Sequence, residues 1–199
     1  MIKKLLLTSF VCSLYLSGTS AHFNGSYGGL VLSQTFVESR AKGETISHDT
    51  SPKKNTHAGF IIGHGQVLSQ NIYFGMEGYI NPFGLNGTPS NERFNGIKAQ
   101  MTHQMPSHVV VRVGYIFGRV LPFVKAGGAY TRTTMQSDQK KDTIHSHGMV
   151  LGAGLDFDVA ENIKVGISYT TTSYKSFIHN DVKITPCLRS VAVRLMYCF

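Results

Sequence analysis

The final ten residues, Ser190–Phe199, alternate without a break. Val191, Val193, Leu195, Tyr197 and Phe199 fall on one face of a strand, and Ser190, Ala192, Arg194, Met196 and Cys198 on the other, because successive side chains of an extended chain point to opposite sides. One face is wholly apolar, with its aromatics gathered at the terminal end; the other carries an arginine. That pairing suits the closing strand of a membrane-spanning barrel, whose outer side meets lipid and whose aromatics sit at the membrane interface.

The other end of the sequence agrees. Lys3 and Lys4 precede a short apolar run, Leu5–Leu16, interrupted only by Thr8, Ser9 and Ser13, and Ser17–Ala21 supplies small residues. Residues 1–21 read as an export signal cut after Ala21, which leaves residues 22–199 as one domain. No other segment approaches the ~20 consecutive apolar residues of a spanning helix. A hydrophobic content of 42% is low for a helical membrane protein but fits a barrel, which hides its apolar residues in alternation. The net charge of +8 falls to +6 once Lys3 and Lys4 leave. Lys53-Lys54 and Lys140-Lys141 are the densest basic stretches, too sparse for nucleic-acid binding; attraction to anionic lipids or host polyanions is the better use for them. Cys187 and Cys198 lie eleven steps apart, about 36 Å along one strand. A disulfide needs Cα atoms within about 7 Å, so none is expected.

Strand segments punctuated by Gly, Asn, Asp and Ser recur through the chain: 26–37, 58–67, 72–80, 108–117, 121–131, 148–157, 163–172 and 188–199. For 92–105 two readings stand: Ile97, Ala99 and Met101 either prolong the fourth strand or lie on a short helix. Connections alternate between short (68–71, 118–120, 158–162) and long (38–57, 81–107, 132–147, 173–187). Three short turns and four long loops describe an all-β, eight-stranded antiparallel up-and-down transmembrane β-barrel, with short turns and both termini periplasmic and long loops extracellular.

Alternation also assigns faces. Val109, Val111, Val113, Tyr115 and Phe117 oppose Arg112 and Gly114; Met149, Leu151, Ala153, Leu155 and Phe157 oppose Gly152, Gly154 and Asp156; Ile163, Val165, Ile167 and Tyr169 oppose Lys164, Gly166, Ser168 and Thr170. The first two strands carry glycine on both faces and are left unassigned. The interior therefore receives Glu77, Arg112, Lys125, Asp156, Lys164 and Arg194. Glu77, Arg112, Lys125 and Arg194 each stand four or five residues from the periplasmic end of their strands, near mid-membrane. A lone charge there is costly, so partners are expected: Glu77 with Arg112 on the neighbouring strand, Asp156 with Lys125 or Lys164. Two acids face four bases, so water or an anion must help, or one face is misassigned. The first reading of this network is structural, the second an ion path or gate. Eight strands enclose little more than their own side chains, which disfavours an open pore.

The runs Val109–Phe117 and Leu121–Tyr130 resemble the central hairpin of small OmpA-like, opacity-type outer-membrane proteins, and Gly148–Tyr169 resembles the next hairpin. Val191, Val193, Leu195, Tyr197 and Phe199 resemble the closing strand read by the barrel-insertion machinery. Cys198, where a polar or basic residue is usual, Ser168, where an acid is common, and the lack of Trp depart from that pattern. The resemblance implies an envelope protein with surface antigenicity, adhesion to host-surface ligands and, in some members, haem binding; outer-membrane lipids are the expected surroundings and a monomer the expected state.

Three function classes follow. The first is a non-enzymatic surface protein whose loops meet host ligands. The second binds haem or metal through His48, His57, His145, His147 and His179, which fall in or beside the long loops. His145 and His147 share a face if the sixth strand extends outward, but the spacing fits no fixed zinc pattern. Otherwise no cofactor is expected. The third, an enzyme, lacks support: Ser146 beside two histidines and Ser176 before His179 are loop neighbours, not a nucleophile oriented by a base. A soluble lipid carrier would want large apolar residues inside, where this chain places glycine and charge.

Overall fold

The computed structural model describes residues 23–42, 47–49, 53–68, 71–82, 92–94, 97–137, 140–175, 177–179 and 182–199, with side chains at 23–36, 54–68, 71–82, 106–132, 145–175 and 187–199. The expected export signal lies outside them. Eight long strands run in chain order: β1 (Gly25–Lys42), β2 (Lys53–Val67), β3 (Ile72–Ile80), β4 (Ile97–Tyr115), β5 (Val120–Ser137), β6 (Lys140–Ala160), β7 (Ile163–Tyr174) and β8 (Val182–Cys198). Each pairs antiparallel with the next, and β8 pairs with β1 from Tyr27↔Cys198 to Lys42↔Lys183, which closes the sheet. Closure leaves no strand edge with unpaired amides in hydrocarbon.

Turn chemistry accounts for one end. Asn71 adopts φ 69°, a conformation asparagine tolerates, between β2 and β3. Gly118, φ 59°, turns β4 into β5, where Phe117 and Val120 exchange both backbone hydrogen bonds. Glu161 and Asn162 turn β6 into β7. The start of β1 and the end of β8 sit at this turn end: the Phe199 amide donates to the Ser26 carbonyl, and the Cys198 amide to that of Asn162.

The far end differs from the loops the sequence suggested. β6 is 21 residues long, about ten more than a tilted strand needs to cross the bilayer. Most of 132–147 is a continuous ladder from Arg132↔His145 to Ser137↔Lys140. The stretch 97–107 is strand, not helix, with Glu92–Phe94 paired against it. Strands continue here because polar residues outside the membrane still satisfy the backbone ladder; with no apolar face to display, they carry no alternation to read. A bulge interrupts β4, where register shifts between Gln104↔Arg132 and Ser107↔Tyr130. Pro106, which has no amide to give the ladder, lies in it.

The outward face is a belt of Leu, Ile, Val, Phe and Met on every strand, about half exposed to solvent in the isolated chain. A continuous apolar surface of that extent belongs in lipid. Tyr115 and Phe117, and Tyr197 and Phe199, pair their rings at 4.7 and 5.4 Å on the turn-end margin of the belt. Inside, glycines make slots for large neighbours. A Cβ at Gly63 would strike the Tyr27 ring, and one at Gly65 the Tyr73 ring; at Gly154 it would lie 2.6 Å from Phe123. On the glycine-rich first strands, Tyr27, Val31, Ser33 and Ile61 face inward and Leu30, Leu32, Phe60 and Ile62 outward.

Candidate functional site

The interior charges form a closed circuit. Glu77 on β3, Arg112 on β4, Asp156 on β6 and Arg194 on β8 are all buried to within 2%. Arg112 Nη1 donates to Glu77 Oε2 at 3.1 Å, and Arg194 Nη1 to the same oxygen at 2.7 Å. The two Nη2 groups donate to opposite oxygens of Asp156. Charge thus alternates around a ring of four that spans the lumen. Tyr27 ties it to β1: its hydroxyl donates to Glu77 Oε2 at 2.9 Å and accepts from Arg112 Nη1 at 2.7 Å. Phe123 lies beneath both cations, its centroid 3.9 Å from the Arg112 guanidinium carbon and 4.8 Å from that of Arg194. Glycine makes the ring sterically accessible, since a Cβ at Gly166 would strike the Asp156 carboxylate. Planar guanidinium forks suit such doubly bridged geometry as an ammonium does not.

Lys125 stands beside the ring, its Nζ 3.9 Å from Glu77 Oε1. Asp156 is therefore held by the two arginines, not by Lys125 or Lys164, because both its oxygens point along the ring. Lys164 lies nearer the turn end, its Nζ 4.6 Å from the Phe23 centroid. It stands opposite Asp158 in the β6–β7 register. Asp158, in a turn by the sequence pattern, is a buried strand residue and brings the interior acids among the described residues to three. The continued alternation Gly154, Asp156, Asp158 was the signal for it. The sequence does not mark Tyr27 or the stacking of Phe123, because glycine blurs the faces of the first strand and a ring's neighbours across a barrel come from distant strands.

The histidines scatter. His57 is on β2, not in a loop, and its ring faces the lumen with Nδ1 buried and no hydrogen-bond partner among the described residues. His145 and His147 lie on β6, not in a loop, and are exposed on its outward face. Tyr130 hydrogen-bonds His145 Nδ1 and sits 5.4 Å, ring to ring, from His147. His48 and His179 fall in three-residue strands, Ser47–Asp49 and Phe177–His179, and their side chains are outside those described. Among the described residues no three His, Cys, Asp or Glu side chains are grouped to hold a metal. Val191, Val193, Leu195 and Tyr197 face outward on β8, and Phe199, one residue past its end, is exposed as well. Cys187 and Cys198 are free.

The sequence matches, over residues 5–198, the family described as the outer membrane protein beta-barrel domain. The chain belongs to this family. Membership places it in the bacterial outer membrane and makes the outward belt its lipid contact. No curated protein matches the sequence. Among solved structures, OprG of Pseudomonas aeruginosa superposes with a TM-score of 0.51 at 12% identity, covering 92% of this chain and 99% of that one. Ail of Yersinia pestis, solved with the heparin analogue sucrose octasulfate, gives 0.43 at 15%, covering 85% and 99%. Neisserial surface protein A gives 0.43 at 13%, covering 85% and 97%. At these identities the likeness to OprG is one of fold.

Proposed function

We propose that the protein is a monomeric, non-enzymatic surface protein of the outer membrane. Its barrel stiffens the envelope, and its far-end strands, standing outside the cell, contact host-surface ligands. The termini and short turns lie in the periplasm, and Val191, Val193, Leu195, Tyr197 and Phe199 present the strand that the insertion machinery reads. One observation carries this reading: the Glu77–Arg112–Asp156–Arg194 ring bridges the lumen at mid-depth, which leaves the projecting ladders as the working surface. Lys53, Lys54, Lys140 and Lys141 make that end basic, so a sulfated polysaccharide is the ligand class of choice. The test is retention of a heparin-type polysaccharide by folded barrels in vesicles. Intact protein should bind with a strong salt dependence; a variant with Lys53, Lys54, Lys140 and Lys141 replaced by Gln should fold and bind more weakly. Absence of binding by the intact barrel refutes the proposal.

A second reading, haem at the rim, rests on Tyr130, His145 and His147 sharing one outward face, since phenol and imidazole both ligate haem iron. Haemin titration of the intact protein and of a His145→Ala/His147→Ala variant decides it: an unchanged Soret band ends this reading.

A further inference from the structure

On the far-end side of the charged ring the lumen holds a chamber of about 60 Å³. Lys125, Arg194 and Glu77 form its floor, and hydroxyls of β1, β7 and β8 its walls. The ring itself is neutral, two acids against two arginines. Lys125 is the surplus charge, buried to 6%, and Glu77 is the sole carboxylate among the lining residues described. That carboxylate is already committed: Oε2 accepts from Tyr27, Arg112 and Arg194. Its other oxygen, at 3.9 Å from Nζ, is beyond hydrogen-bond reach. An ammonium has three protons to place and no acceptor capacity, and a buried cation that shares its nearest carboxylate with two arginines is costly.

The walls supply donors to match. Thr35 and Ser190 bond each other at 2.6 Å, but the Ser168 hydroxyl, 3% exposed, has no partner among the described residues. Arg194 Nε is also buried without an acceptor among the described residues. What the chamber lacks is negative charge. Water fits, since one molecule needs only about 10–15 Å³ of such space, yet water cannot neutralise Lys125. We propose that the chamber binds a small monovalent inorganic anion, of halide or nitrate size, with Lys125 as its counter-charge and Ser168 and Arg194 as donors.

The probe is bromide. Crystals of the full barrel grown in sodium bromide should show an anomalous peak in the chamber. In solution, the unfolding midpoint should rise saturably with bromide relative to gluconate, too bulky to enter, at equal ionic strength. Lys125→Met should abolish both. Ser168→Ala, which leaves the ring intact, should weaken the bromide response about tenfold, the value of one hydrogen bond to a charged group. If the chamber shows only water, if bromide and gluconate act alike, or if Ser168→Ala responds as the parent does, the site does not exist.

Discussion

Replacing Glu77 by Gln tests the lumen ring most directly. The substitution keeps the shape and one acceptor oxygen but removes the charge that Arg112 and Arg194 approach at 3.1 and 2.7 Å. Among the described residues Asp156 is then the only acid facing Arg112, Arg194 and Lys125, and the level moves from one surplus positive charge to two. Two charge-assisted bonds, each contributing roughly 1.5–3 kcal/mol, become ordinary ones. The two arginines are left partly unpaired in a site buried to 1%, and breaking such a pair from one side costs about 3–5 kcal/mol. The barrel should lose that much unfolding free energy. Urea titration in lipid vesicles measures it; the chain has no Trp, so folded fraction is read from the migration of unheated samples in gels. The double variant Glu77→Gln/Arg194→Met removes one charge of each sign and should cost less than the two singles combined, by more than about 1 kcal/mol. A single-variant loss under about 1 kcal/mol, or strict additivity, would refute the view that these four side chains act as one unit.

Other expectations follow from the same geometry. Gly63→Val forces a side chain into the Tyr27 ring and should cost about 1–3 kcal/mol. Gly128→Ala, where nothing lies within 4 Å of the new Cβ, should be neutral or stabilising by about 0.5–1 kcal/mol. Leu155→Arg, on the outward face next to Asp156 of the ring, should cost roughly 2–4 kcal/mol of folding into vesicles; no effect would contradict its lipid contact. Phe199→Ala should lower the yield of assembled barrel in cells while leaving spontaneous folding in vesicles nearly unchanged, and equal losses in both would deny the terminal residue a signalling role. Planar bilayers containing the intact protein should show no steady channel steps, and persistent openings would contradict a bridged lumen.

What could be read in advance depended on contrast between faces. On β4 and β7, Val and Ile alternate with Arg, Lys and Gly, so inside and outside are unambiguous in the sequence alone. On β1, Gly28 and Gly29 fall on opposite faces and erase that contrast, which hid Tyr27. Height along a strand could be counted from the turns, so Glu77, Arg112, Lys125 and Arg194 were expected at one level. Which of them touch is decided across the lumen, a distance that depends on barrel closure and that local sequence does not encode. Asp156 is the example: its strand neighbours suggested lysines, and its actual partners come from β4 and β8. The far-end ladders escaped notice for a simpler reason. Alternation reports a difference between lipid and lumen, and beyond the bilayer both sides of a strand meet water.

The β4 bulge at Pro106 has a consequence for how such a chain changes over generations. Strand pairing has a period of two, so losing or gaining one residue ordinarily turns every later side chain to the wrong surface. At Pro106 two residues already stand opposite one, so phase is broken and re-set just where the chain leaves the lipid. Residues added to or trimmed from the hairpin tip beyond that break leave Val109, Val111 and Val113 still turned toward hydrocarbon. The exposed hairpin is free to vary in length while the buried span keeps its count.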